Sequence, residues 1–100
     1  MFRHVVLFRW KPGTPAREIE ALERALAALP GEISEIRSYR FGRDAGAAPG
    51  NFDFAIVADF ADAEAWRRYV AHPAHAKLVA ERVRPILGER AATQFRVELD

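Results

Sequence analysis

The sequence predicts an α+β fold of the ferredoxin-like type, with the element order β-α-β-β-α-β. Three observations predict it. Residues 2–10, 33–41, 52–60 and 94–99 carry the apolar alternation that is typical of strands. Two segments between them repeat apolar residues at spacings of three and four, which is typical of amphipathic helices. Both halves of the chain follow the order strand, helix, strand, which gives a four-stranded antiparallel sheet with both helices on one face.

Length and composition predict one globular domain spanning residues 1–100, since half of the residues are hydrophobic. The formal net charge is +1 with acids and bases interspersed, which argues against a nucleic-acid-binding surface. The chain has no cysteine, so neither a disulfide framework nor thiolate chemistry is available. It shows neither the layout of a signal peptide nor an apolar run of membrane-spanning length. We therefore expect a cytoplasmic protein that does not associate with membranes.

The first strand, Phe2–Trp10, is apolar on both faces in its middle. Its alternation places His4, Val6, Phe8 and Trp10 on one side, with Val5 and Leu7 on the other. A loop rich in helix breakers follows, and Thr14 with Pro15 favours the start of a helix. Pro30-Gly31 is expected to end that helix.

The next two strands are separated by a flexible loop, Gly42–Gly50. The second strand, 33–41, alternates less regularly, because Glu35 and Arg37 share a face with its apolar residues. The third strand, 52–60, places five apolar residues on one face, namely Phe52, Phe54, Ile56, Ala58 and Phe60. The fourth strand is expected at 94–99, after Gly88 closes the second helical region.

The second helical region contains the segment Tyr69-Val70-Ala71-His72-Pro73-Ala74-His75, with two of the three histidines of the chain. Asp62 is expected to cap the first helical piece. Pro73 disfavours helical geometry at His72 and can itself begin a second helix, so a break is predicted there. This break decides whether Tyr69 lies beside His75, because on one unbroken helix their side chains would point apart.

Association into a homodimer follows from the sheet face that the helices cannot cover. Val5, Leu7 and Val57 are predicted to point to that face. An uncovered apolar sheet face is an association surface, and a second copy placed by a two-fold axis is the simplest way to bury it.

These segments together resemble one family. His4-Val5-Val6-Leu7-Phe8 at the start, the third strand, and Tyr69-x-x-His72-Pro73-x-His75 resemble the stress-responsive dimeric α/β-barrel (Dabb) family over nearly the whole chain. The resemblance implies a ferredoxin-like subunit and a dimer whose two sheets form a barrel. The family includes a plant polyketide cyclase that uses a tyrosine and a histidine without a cofactor, and these match Tyr69 and His75.

The resemblance implies catalytic roles for Tyr69 and His75 on a small apolar carbonyl or polyketide-like ligand, as in a cofactor-free cyclase or lyase. In this hypothesis His75 removes a proton next to the carbonyl and Tyr69 holds the enolate oxygen. The residues expected to contact the ligand are His4, Val6, Phe8 and His72.

Structural roles for the same residues remain open. Tyr69 can be a core tyrosine with a satisfied hydroxyl, and His4 a satisfied core histidine. His75 can be bonded to backbone, and His72 can serve mainly to shape the break. No cysteine or convincing carboxylate joins the histidines, so we expect no metal site. The sequence contains no glycine-rich phosphate-binding loop, so we expect no cofactor. The alternative functions are a non-enzymatic stress-responsive structural or ligand-binding protein and, more weakly, a cofactor-free monooxygenase.

Overall fold

The computed structural model describes residues 1–98 and has the predicted ferredoxin-like topology. Its sheet has the strand order β2-β3-β1-β4, and every neighbouring pair is antiparallel. A π-helical segment, Val79–Val83, follows the last helix. The strands are β1 (Phe2–Trp10), β2 (Ser38–Arg43), β3 (Phe54–Phe60) and β4 (Leu87–Arg96), and the helices are α1 (Ala16–Glu32), α2 (Ala63–Ala71) and α3 (Pro73–Leu78).

The core lies between the helices and one face of the sheet. Helix α1 contributes Leu22, Leu26 and Leu29, all essentially inaccessible to solvent. They pack with the β3 side chains Phe54 and Phe60, which are buried to the same degree. Full burial of one such side chain stabilises a fold by about 1.5–3 kcal/mol. The sheet face that carries His4, Val6 and Phe8 is therefore the inner face.

Helix α1 does not end at Pro30-Gly31, as the sequence predicted, but runs to Glu32. The apolar stripe of the helix continues through Leu29 to Ile33, and both side chains are 1% exposed. The N–H of Ile33 donates to the carbonyl of Leu29 at 3.0 Å, which closes the last turn. Core packing thus holds the final turn in spite of the two helix breakers.

Strand β2 begins at Ser38, five residues later than predicted. The predicted span included Ile33, which caps α1, and the turn that follows it, in which Ile36 N–H donates to the carbonyl of Ile33 at 3.3 Å. The irregular alternation of residues 33–37 arose because they do not form a strand.

Strand β3 begins at Phe54, and Phe52 does not share its inner face as predicted. The guanidinium of Arg9, a residue of the opposite sheet face, lies 4.2 Å from the centre of the Phe52 ring. The residue after Phe52, Asp53, accepts a hydrogen bond from the Trp10 N–H at 2.8 Å. The N–H of Asp53 also donates to the carbonyl of Phe8 at 2.9 Å, so Asp53 is bonded to β1 through both its side chain and its backbone.

Strand β4 begins at Leu87, seven residues before the predicted start, so Gly88 lies in a strand and does not close a helix. A Cβ atom at Gly88 would lie 3.0 Å from the carbonyl oxygen of Arg9. The register between β1 and β4 shifts between Arg9 and Trp10, beside this contact. Gly88 is therefore required by the close approach of two backbones. The predicted end of the strand, Leu99, lies outside the described residues.

The predicted helix break is confirmed. Helix α2 ends at Ala71, His72 has extended backbone angles, and α3 begins at Pro73. Asp62 caps α2, as predicted, by accepting from the N–H of Ala65 at 2.8 Å.

The outer sheet face carries Val5, Leu7 and Val57, all half-buried in the single chain. Phe95 of β4 lies on the same face opposite Arg3, and it is 49% exposed. At the edge of this apolar area, Arg3 makes a two-pronged ion pair with the buried carboxylate of Asp59 at 2.8 and 2.9 Å. Within residues 1–98, none of the helices combines the length and apolar character needed to cross a membrane.

Candidate active site

A cavity of about 310 Å³ lies between the inner sheet face and the segment from α3 to β4. Its walls are largely apolar and include the predicted ligand-contacting residues Val6 and Phe8. The polar side chains that line it are His4, Tyr39, Tyr69, His75, Arg84 and Arg90. An apolar cavity with a few convergent polar groups is the usual form of a small-molecule site.

Strand register aligns part of this site in one row across the sheet. Tyr39 on β2 pairs with Ala58 on β3, Ala58 pairs with His4 on β1, and His4 pairs with Gln94 on β4. Residues in one row point to the same sheet face. Ala58 is fully buried and carries only a methyl group between the two polar residues Tyr39 and His4.

The break between α2 and α3 brings the two predicted catalytic residues together. The ring centres of Tyr69 and His75 are 4.4 Å apart, with the rings inclined at 53°. Tyr69 is 4% exposed, and its ring also packs on Phe60 at a centroid distance of 4.9 Å. The sequence prediction that the break places Tyr69 beside His75 agrees with this geometry.

The tautomer of His75 follows from its contact with one backbone carbonyl. Its Nδ1 lies 3.2 Å from the carbonyl oxygen of Val70. A carbonyl oxygen can only accept, so Nδ1 carries the hydrogen and the neutral ring has its lone pair on Nε2. Burial lowers the pKa of His75, the Val70 contact partly opposes this, and the charge of Arg90 lowers it further. The imidazole is therefore neutral at pH 7 and can accept a proton.

His4 has the opposite tautomer. The amide nitrogen of Gln94 lies 2.8 Å from its Nδ1. An amide nitrogen can only donate, so Nδ1 accepts and the neutral ring carries its hydrogen on Nε2. Burial, followed by the charges of Arg90 and His75, lowers the pKa of His4 to about 4. The cavity thus has one neutral histidine that can accept at Nε2 and one that can donate there.

Two tyrosine hydroxyls meet at the other side of the site. The hydroxyl oxygens of Tyr39 and Tyr69 are 2.8 Å apart. Burial raises the pKa of both hydroxyls, and the contact raises the pKa of Tyr39 further while it partly lowers that of Tyr69. Both hydroxyls are therefore protonated at neutral pH, and either one can donate to the other.

His72, which was predicted to contact the ligand, does not line this cavity. Its Nδ1 accepts a hydrogen bond from the N–H of Ala74 at 3.0 Å and so caps α3. The ring has this position because the extended backbone before Pro73 turns it toward the first free N–H groups of the helix. His72 shapes the break, and we do not assign it to ligand binding.

The two arginines of the cavity lie near its opening, and both side chains are exposed. Arg84 directly follows the π-helical segment, and Arg90 lies on β4 opposite Phe8. Within residues 1–98, the ion pairs involve other arginines. The same part of the chain contains no grouping of three His, Cys, Asp or Glu residues that could hold a metal ion.

Sequence reasoning did not assign Tyr39, Arg84, Arg90 or Gln94 to the site. Tyr39 could have been found, because strand parity places it on the same face as Phe41. Arg90 lies in the part of β4 that the sequence prediction missed, and Gln94 reaches His4 through the pairing of β4 with β1. No sequence signal marked the start of β4 once Gly88 was assigned to a helix end.

Buried neutral His4 leads to a prediction for acid stability. Its pKa is about 4 in the folded protein and about 6.5 in an unfolded chain. Between these values the unfolded chain binds a proton that the folded protein does not, so stability falls as pH is lowered from 6.5 toward 4. Urea unfolding at pH 7 and pH 5 should show this loss, and a His4→Gln variant should show less of it. An equal loss in both proteins would contradict the assignment to His4.

Comparison with known proteins places this chain in a family. Residues 2–97 match the stress-responsive A/B barrel domain, Dabb. An uncharacterised protein of Streptomyces coelicolor is 38% identical over 82 residues, covering 80% of this chain and 84% of its own. A dimeric ferredoxin-like protein of unknown function from Thermobifida fusca is 41% identical with a TM-score of 0.89, over 96% of this chain and 90% of its own. A hydroxynitrile lyase from Passiflora edulis shares the fold at 17% identity with a TM-score of 0.84, over 97% and 93% of the two chains. The chain belongs to the stress-responsive α/β-barrel (Dabb) family.

Proposed function

We propose that the protein is a cofactor-free acid–base enzyme that acts on the carbon next to a carbonyl group of a small, largely apolar compound. The observation that carries this proposal is the contact between the rings of neutral His75 and Tyr69, with centroids 4.4 Å apart, on one apolar cavity. A base and a hydrogen-bond donor on the same cavity are the two groups that enolate formation requires.

In the proposed step, Nε2 of His75 takes the proton from the carbon next to the carbonyl. The electron pair of that C–H bond forms the carbon–carbon double bond of the enolate, and the carbonyl oxygen gains the negative charge. The hydroxyl of Tyr69 donates a hydrogen bond to this oxygen. In a cyclisation, the enolate carbon attacks a second carbonyl, and the alkoxide oxygen formed there takes the proton from His75. Without a second carbonyl, the enolate takes the proton back from His75. The reverse of the cyclisation breaks the same carbon–carbon bond, as in a lyase.

Tyr39 and His4 support the charge that develops in this step. If Tyr39 donates to the Tyr69 oxygen at 2.8 Å, it makes Tyr69 a stronger donor to the enolate. The Nε2 hydrogen of His4 is a second donor on the same cavity. Donors that are fixed before the reaction lower the barrier because they do not reorganise as the charge appears.

The cavity also supports the size and polarity of the proposed ligand. Its volume of about 310 Å³ is near the lower end of the range of small-molecule sites, which is roughly 300–1,000 Å³. Val79 and Val83 give it an apolar wall opposite the inner sheet face. Such surroundings exclude water and strengthen the hydrogen bonds to a developing enolate.

We also propose that the active form is a homodimer assembled through the outer sheet face. Val5, Leu7, Val57 and the exposed ring of Phe95 form an apolar surface there. Similar solved structures, those from Thermobifida fusca and Bacteroides fragilis, are dimeric. The proposed cavity lies on the inner face, so each subunit would keep its own site.

Hydrogen–deuterium exchange tests the proposed reaction directly. The probes are 5-oxohexanoate and its uncharged amide in D₂O, with NMR used to follow loss of the hydrogens next to the ketone. The enzyme should accelerate this exchange in the probe that it binds, since proton removal and return require no second substrate. Binding of a probe without accelerated exchange would favour the non-enzymatic, ligand-binding alternative.

Tyr69→Phe should lower the exchange rate by about 10²–10³-fold, which is the usual effect of removing one donor to a developing oxyanion. The ring and its packing on Phe60 are retained, so stability should change little. Tyr39→Phe is the matched control, because it removes the hydroxyl that contacts Tyr69 and leaves the Tyr69 donor in place. We expect a smaller loss for Tyr39→Phe. A larger loss for Tyr39→Phe than for Tyr69→Phe would assign the oxyanion contact to Tyr39.

A further inference from the structure

We propose that the natural ligand of this cavity carries a carboxylate as well as a carbonyl group, and that Arg84 and Arg90 hold the carboxylate at the cavity opening. The inference rests on the proposed function for the carbonyl end and adds the substrate class, an oxo-carboxylate with an apolar backbone.

The charges that line the cavity are of one sign. Its walls contain two arginines and neither an aspartate nor a glutamate. Some arginines elsewhere on the surface are paired with carboxylates, as in the contacts Arg43–Glu23 and Arg68–Glu35. Arg84 and Arg90 are in none of the ion pairs found within residues 1–98. Two cations beside an apolar cavity without a protein counter-ion favour an anionic ligand.

The positions of the two arginines suit one ligand end. Arg84 enters from the end of the π-helical segment, and Arg90 enters from β4, next to the inner sheet face. Both are exposed, whereas Tyr69 and His75 lie deeper, at the break between α2 and α3. A carboxylate between the guanidinium groups would leave the apolar part of the ligand along Val83 and Leu87, with its carbonyl directed toward Tyr69.

Arg90 also lies near enough to the histidines to influence their charge. Its positive charge lowers the pKa of both His4 and His75. The other polar side chains that line the cavity with His75 are Arg84, which is also a cation, and His4, Tyr39 and Tyr69, which are uncharged at neutral pH. A carboxylate bound to Arg90 would offset its charge and raise the pKa of His75. The ligand would therefore make His75 a stronger base in the complex than in the free protein.

Calorimetric titration with 5-oxohexanoate and with 5-oxohexanamide tests the inference. The two probes have the same ketone and nearly the same shape, and they differ in charge. We expect the carboxylate to bind at least about 10-fold more tightly than the amide, a difference of about 1.4 kcal/mol. The preference should weaken as salt is added, because the arginines are exposed.

The double variant Arg84→Gln/Arg90→Gln should lose this preference, while Arg96→Gln should keep it. Arg96 is the matched control, since it is an exposed arginine on the same face of β4 that does not line the cavity. Equal binding of the two probes to the wild-type protein, or a preference that persists in the double variant, would overturn the inference.

The exchange experiment separates this inference from the proposed function. Tight binding of 5-oxohexanoate without accelerated deuterium exchange would support the carboxylate site and refute the catalytic step. Accelerated exchange in the amide with no preference for the carboxylate would support the catalytic step and refute the carboxylate site. An NMR titration gives an independent readout, because the pKa of His75 should rise when 5-oxohexanoate is bound and should not rise with the amide.

Discussion

His75→Ala should lower the rate of deuterium exchange by about 10²–10⁴-fold, the usual contribution of a general base. The alanine variant retains Tyr69, Tyr39 and the apolar walls, so the probe should still bind. A loss that appears in kcat with little change in KM would show that His75 acts in the transition state. The measurement is the initial exchange rate at saturating probe.

The pH dependence of kcat/KM provides a second test of His75 as the base. His75 must be neutral to accept a proton, and burial holds its pKa below the ordinary value of 6.5. For the free enzyme, kcat/KM should therefore stay level as pH falls to 6.5 and should decrease only below it, as the imidazole becomes protonated.

His72→Asn is the matched control for His75→Ala. Asparagine is a good N-cap residue, so it can replace the contact from His72 Nδ1 to the N–H of Ala74 while it removes the imidazole. We expect exchange at close to the wild-type rate. Equal losses in the two variants would mean that both act through the geometry of the break, and the role of His75 as base would then be wrong.

Leu7→Asp should prevent dimerisation. Leu7 lies in the middle of the outer sheet face, between Ala55 on β3 and Ala91 on β4. These two cross-strand neighbours are alanines, which offer no counter-ion to a new carboxylate. Burying an unpaired charge in an interface costs about 3–5 kcal/mol, which corresponds to a dissociation constant raised by roughly two to four orders of magnitude. Sedimentation over a range of micromolar concentrations measures this change.

Ala27→Asp is the control for the added charge, because Ala27 is an exposed residue of α1. It should leave the dimer unchanged. A wild-type protein that sediments as a monomer at micromolar concentration would contradict the proposed assembly, and a dimer that persists in Leu7→Asp would place the interface elsewhere on the surface.

The sequence predicted the element order because hydrophobic periodicity is a local signal, and it misplaced boundaries where tertiary contacts overrule local ones. Pro30 and Gly31 are strong helix breakers, yet the burial of Leu29 and Ile33 carries α1 past them. Gly88 also follows a helical pattern, but a glycine is required there for a different reason, the close approach of the Arg9 backbone. A glycine that ends a helix and a glycine that admits a neighbouring strand cannot be told apart without the partner strand.

The candidate site divides in the same way. The closeness of Tyr69 to His75 could be anticipated, because Pro73, four residues after Tyr69 and two before His75, breaks the helix between them. The Tyr39 position could also have been found from strand parity, whereas the contact of the Gln94 amide with His4 depends on the register between β1 and β4, for which there is no local signal. His72 was assigned to the ligand on the strength of its sequence neighbours, whereas its Nδ1 is used by the backbone of α3.

One wall of the cavity contains the π-helical segment Val79–Val83, in which a residue can be gained or lost in related sequences. In this segment Arg84 N–H donates to the carbonyl of Val79, five residues earlier, so the turn holds one residue more than an α-helical turn. Loss of a single residue there would restore an α-helix and rotate Arg84 by about 100° relative to Val79. Related chains could therefore acquire a different cavity by one codon gained or lost, with every lining side chain of the sheet unchanged. Insertion and deletion, as well as substitution, are thus routes by which ligand preference can diverge on this scaffold.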